Sequence, residues 1–323
     1  MHARSLVRSA ALLMLCATPL AAQNTQCTPY AGSSRTFNVC NAAIDGTRAF
    51  HPLAGLLISG GSPVIGDHGN LGGIGHLSIT ARVNATRVTL PSTAYDGSTA
   101  TVPPGDSLLA PAPVVEAAVG LFKGSTKGLF GIDLLASATL LPTTVVDNLT
   151  IDPDARRIGS VALGLGYGVR VSLFDDKGSL PGISVSAMQR DLPRLTYGSV
   201  GIGTGDDFQY EVKVKATNFR LDVGKTFSVV SLGVGLGQDR YRGDANIVFR
   251  NPLTTLPEAP IALDLAANRT MAFANLGLNL GPVKLVGEGG YQLGKDQQLT
   301  TNFQGFDTTA GRFFFSGGLR VGI

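Results

Sequence analysis

From Leu77 onward, apolar and polar residues alternate with a period of two. Leu77, Ile79, Ala81, Val83 and Ala85 interleave with Ser78, Thr80, Arg82, Asn84 and Thr86. Val161, Leu163, Leu165, Tyr167, Val169, Val171 and Leu173 interleave with small and polar residues in the same way. Similar runs cover 113–122, 129–140, 182–190, 208–224, 227–237, 270–280, 283–293 and 312–323. Successive side chains of a strand point to opposite faces, so each run predicts a strand with one apolar and one polar face. The pattern predicts about ten strands, or twelve if 243–250 and 261–266 form a separate hairpin.

The links alternate as well. Short ones (123–128, 174–181, 224–226, 281–282) separate long ones (91–112, 141–159, 191–207, 238–269, 294–311). Asp175-Asp176-Lys177-Gly178 and Gly281-Pro282 are turn chemistry. Short turns at one end and long loops at the other describe a transmembrane antiparallel up-and-down β-barrel. The apolar faces of the strand cores carry no charge, while the opposite faces hold Arg82, Glu116, Asp133, Arg170, Arg220, Asp222, Lys284, Glu288 and Arg320. A lipid-facing Arg or Lys costs roughly 2–4 kcal/mol at the bilayer midplane, which enforces such segregation. A soluble barrel would turn its apolar face inward and carry many more charges outside. The expected fold class is therefore all-β, with the charges in the lumen and both barrel ends on the periplasmic side.

Residues 23–70 break the period. The best helix candidate is 38–57, with Asn38 or Asn41 as cap; Pro52, Gly46 and Gly55 predict two short pieces in place of one helix. The segment reads as a plug within the lumen or as a periplasmic lid, and the glycine rows at 164/166/168 and 233/235/237 leave room for an inserted element. Run 208–224 is seventeen residues long, more than the 9–11 or so that span a membrane. It carries an apparent phase slip near Thr217-Asn218, so its end is expected above the membrane, with Arg240, Tyr241 and Arg242 on an exposed rim.

Composition adds compartment and excludes whole classes of function. Arg4 and Arg8 precede a short apolar run at 10–16 with small residues after it, which reads as a signal peptide cleaved after Ala22. Without that leader, 24 basic residues stand against 23 acidic ones, too balanced for a nucleic-acid partner. Cys27 and Cys40 then lie in an exported chain, where they form a disulfide or remain two thiols. The chain divides into a leader at 1–22, a plug or lid at 23–70 and a barrel at 71–323.

Counting along the strands sets Arg82 near Glu116, Asp133 near Arg170 and Glu288 near Arg320. These pairs form a girdle of ion pairs that either neutralises buried charge or acts as a selective constriction. Catalysis finds little support. The histidines beyond the leader are His51, His68 and His76, all at or before the base of the first strand. No catalytic residue, cofactor or metal site is predicted.

At the end of the chain Phe313, Phe315, Gly317, Leu319, Val321 and Ile323 alternate to the last residue. This resembles the C-terminal assembly signal of Gram-negative outer-membrane β-barrel proteins, with Ile323 where that signal closes on an aromatic residue. The resemblance implies an outer-membrane location, with membrane lipid, lipopolysaccharide and the barrel assembly machinery as partners. A leading segment before a barrel also loosely resembles the plugged, fatty-acid transporter type of barrel. The function implied is passive passage of a small or hydrophobic solute. The alternative is a closed structural or adhesion barrel that acts through its loops.

Overall fold

The computed structural model describes residues 24–125, 129–142, 149–201 and 205–323; the predicted leader lies outside them. Ten long strands form a closed ring: β1 (Leu77–Pro91), β2 (Pro104–Phe122), β3 (Gly131–Pro142), β4 (Val161–Phe174), β5 (Gly182–Asp191), β6 (Lys215–Phe227), β7 (Val230–Phe249), β8 (Ile261–Leu280), β9 (Val283–Gln292) and β10 (Arg312–Gly322). Each pairs antiparallel with the next, and β10 closes on β1. The ring leaves no open edge in its closed section, which removes the unpaired backbone groups a bilayer would not tolerate. Positions 243–249 and 261–266 are the upper parts of β7 and β8 (Ile247 opposite Ile261), so they make no separate hairpin.

The two faces are inverted relative to a water-soluble protein. Val234 is 62% exposed and Phe313 64%, and Ile79, Val83, Leu134, Tyr167, Leu236 and Leu285 also face outward, while Arg82, Glu116, Asp133, Arg170, Arg220 and Asp222 point inward and are buried. Apolar area gains about 25 cal/mol per Å² when removed from water, and a belt on every strand recovers this only against lipid. The chain is a transmembrane β-barrel. Outward charges reappear at Arg87 on β1 and Arg240 on β7, which mark the upper limit of the belt.

Above that limit the inversion ends. Tyr241, Ala245, Ile247 and Phe249 of β7 point inward and are buried, while Arg240 and Arg242 are exposed. Tyr241 is thus an inner packing residue and no part of the exposed rim. The strand Phe208–Val212 pairs with this upper part of β7 and continues the register of β6, Val212 opposite Ala245 and Lys215 opposite Arg242. Phe208, Tyr210, Val212, Val214, Ala216, Asn218, Arg220 and Asp222 are all buried on one continuous inner face. The expected phase slip is absent. What changes at Thr217-Asn218 is the medium outside the wall, so the inner face switches from apolar to polar.

One helix, α1 (Ser34–Ser59), stands inside this upper region. Ser33 caps it, its hydroxyl accepting from the Thr36 N–H at 3.4 Å. Pro52 does not divide it, contrary to the pattern-based expectation. Proline frees the carbonyl four residues earlier, and the side-chain nitrogen of Gln297, with its amide oriented to suit, donates to Arg48 O at 2.6 Å. Gly55 also has a packing role: a Cβ there would lie 2.5 Å from the Tyr241 ring. A short 3-10 helix, Thr25–Tyr30, folds back on α1 and is joined to it by the Cys27–Cys40 disulfide, with Cα atoms 5.8 Å apart. After α1 the chain runs as an irregular strap, 60–76, down the lumen to the short-turn end, where β1 begins.

Candidate functional site

The strap and the inward charges of the barrel form one hydrogen-bonded network. Near the short-turn end, Arg170 pairs with Asp133 at 2.7 Å, and Arg320 pairs with Asp67 of the strap at 2.6 Å. His68 Nδ1 lies 2.6 Å from Asp222, whose other oxygen accepts from Asn275 at 2.8 Å. Gly224 and Gly233 make room for that imidazole, since a Cβ on either would lie within 2.4 Å of the ring. Higher up, Arg82 and Arg190 both bond Glu116 at 2.9 Å, and Arg220 pairs with Asp239 at 2.6 Å. Burying such charges costs several kcal/mol each unless they are paired.

Much of the network grips the strap by its backbone. Glu288 accepts from the N–H groups of Gly61 and Ser62 at 2.8 and 2.6 Å. Arg220 donates to the carbonyls of Gly60 and Gly61, both at 2.9 Å, and Lys284 donates to Gly66 O at 2.7 Å. The axial route through the described barrel is occupied by these groups.

Sequence counting brought Arg82 to Glu116 and Asp133 to Arg170, as observed. It misplaced Glu288. The β9–β10 register sets Glu288 opposite Ser316 and Lys284 opposite Arg320, so Glu288 sits two strand repeats above Arg320. The strap supplies Asp67 to Arg320 in its place. Arg190, Asp239, Asp67 and His68 were missed. The first two continue the inward parity of β5 and β7, which alternation could have extended; the other two lie in aperiodic chain. His51, on α1 beside Tyr241, lies in the upper region and not near the base of β1, whereas His68 is buried on the strap near the short-turn end. Phe313, Phe315, Leu319, Val321 and Ile323 face outward on the closing edge.

A second feature lies in the wall. β2 stays paired with β1 from Val119 up to Pro104, but its pairing with β3 stops at Val114–Thr139. Continuous pairing with β1 through Ala110, Ala112 and Val114 requires those residues to serve β1, so the backbone groups of Pro111 and Pro113 face β3. Neither proline has an N–H to give. Behind the resulting gap is an apolar cavity of about 80 Å³ between the wall and α1, lined by Phe50, Leu57, Leu108, Pro111, Leu141 and Leu195. Pro111 is exposed on the outer surface and also lines this cavity. The gap opens near the top of the lipid-facing belt, between Val83 and Arg87 in the β1 register.

No family model and no curated protein matches the sequence. Among solved structures, the barrel is similar to the outer-membrane protease OmpT of Escherichia coli (12% identity, 77% of this chain and 96% of that one, TM-score 0.38). It is similar to the translocator domain of the autotransporter NalP of Neisseria meningitidis (11% identity, 91% and 99% covered, TM-score 0.35). A third is a mutant of the monoaromatic hydrocarbon channel TodX (11% identity, 83% and 70% covered, TM-score 0.30). At these values the likeness is architectural and transfers no activity.

Proposed function

We propose that this is an outer-membrane barrel through which a small hydrophobic solute passes sideways, between the upper cavity and the outer leaflet. The observation that carries this reading is the β2–β3 gap at Pro111 and Pro113 with an apolar cavity behind it. Apolar walls at both ends of the route, cavity and lipid, spare the solute a polar crossing. Axial passage would require it to displace buried ion pairs.

The test restores the missing donors. A Pro111→Ala/Pro113→Ala double variant allows β2 to extend its pairing with β3 and narrows the gap. In proteoliposomes, transfer of a hydrophobic dye is expected to slow severalfold while the barrel stays folded by heat-modified gel mobility. Unchanged transfer would sink the lateral route. In planar bilayers the full chain is expected to be silent.

The filled axis also favours a second reading, a closed barrel acting through its loops. Leu253 and Leu256, 65% and 63% exposed on the 250–258 loop, would be its contact points. Dye transfer no faster than protein-free vesicles would leave this reading in place.

A further inference from the structure

The upper half of β8 has a partner on one side only. It pairs with β7 up to Ile261, but its pairing with β9 stops at Met271–Gln292. Beside this free edge, between β8 and the 295–298 segment, lies a cleft of about 450 Å³ that reaches α1. Arg48, His51, Arg269 and Lys295 line it, together with Asp264 and Asp296.

Arg269 is the unusual member. It is 7% exposed, yet no carboxylate among the described residues lies within salt-bridge distance of it. Its guanidinium donates to Asn268 O at 3.2 Å and meets Gln297 Oε1 at 3.2 Å, both neutral acceptors. Its register partner Asp239 is already bonded by Asn218, Arg220 and Tyr241. A buried guanidinium normally sits against an anion, because the isolated charge is costly. His51, 2% exposed, also lines the cleft, with its imidazole against the Arg242 backbone. Asp296 is turned to its own loop, accepting from Gln298 N at 2.8 Å, and Asp264 is exposed.

We infer that this cleft is an anion site, with Arg269 as its main charge, Lys295 at its mouth and His51 as a hydrogen-bonding wall, and that its ligand is a phosphate group. A planar guanidinium suits tetrahedral phosphate oxygens, which it can engage with two parallel N–H donors. Arg269 is opposite Asp239, next to the first outward charge above the belt, Arg240. That is the height at which lipid headgroup phosphates stand, so the source is a headgroup phosphate or a free one. The site is independent of the β2–β3 gap, and neither proposal rests on the other.

The experiment is calorimetric titration of the refolded full chain in zwitterionic detergent with inorganic phosphate, alongside phosphorus analysis of protein recovered from lipid A vesicles. Saturable phosphate binding, weakened about tenfold or more by Arg269→Gln and less by Lys295→Gln, would support a free-phosphate site. Failure to bind inorganic phosphate, with lipid A phosphorus retained by the natural chain and lost in Arg269→Gln, would support a headgroup site. Arg269→Lys keeps the charge and should retain part of the binding, which separates loss of the site from loss of the fold. Lys295 is exposed, so its variant folds in any case. Equal binding by the natural chain and Arg269→Gln in both arms, or none in either, overturns the proposal.

Discussion

The lower and upper halves of this barrel use the same strands in opposite senses. Below Arg240, β7 shows Val234 and Leu236 to the outside and Ser231 and Asp239 to the inside; above it, Tyr241, Ile247 and Phe249 are inside and Arg242 is outside. The parity of the strand never changes. Only the medium around it does, lipid below and water above, and the side chains follow. An inner face is therefore polar or apolar according to what lies on the other side of the wall.

The contrast can be broken most severely from the inside of the lower half. Glu116→Ala leaves both Arg82 and Arg190 without their shared partner, and is expected to lower unfolding free energy by about 3–5 kcal/mol in urea titrations in detergent. The outside of the same half comes next. Val234→Arg places a charge in the belt and should cost roughly 2–4 kcal/mol by refolding into vesicles, whereas a charge already stands at Arg240 three repeats higher without such a burden.

The smallest expected effect comes from the upper half and depends on pH. Burial holds His51 down to about 4 from its usual 6.5. The unfolded chain therefore binds the proton more readily, so stability is full above pH 6.5 and falls as pH drops toward 4. Between pH 7 and pH 5 the loss is about 2 kcal/mol. A His51→Gln variant should lack this slope in denaturant midpoints measured across that range.

The lower half was legible from sequence because lipid imposes a strict rule. Any outward charge is expensive, so alternation along β1, β4 and β10 exposes both strand and orientation. The upper half obeys the weaker rule of a water-facing surface, and its inversion of polarity at Thr217-Asn218 imitated a bulge. The single helix through Pro52 was hidden for another reason. Its missing backbone donor leaves a carbonyl that is served from Gln297, far away in sequence. Candidate charges with cross-strand partners could be paired by counting, as Arg82 and Glu116 were. Those whose partners lie on the strap could not, since an aperiodic segment has no register to count from. The wall gap was likewise invisible: Pro111 and Pro113 announce missing donors, but only the pairing shows which neighbour lacks them.

The disulfide at the top of α1 has a topological consequence. Cys27–Cys40 folds the 3-10 helix against the helix it precedes, so the upper end of the threaded segment is two helical layers wide, whereas the strap below is a single extended chain. The wide end cannot be drawn down through the closed ring past the strap's ion-pair network, and the lower end is held where it becomes β1, so the segment is tethered within the barrel it precedes.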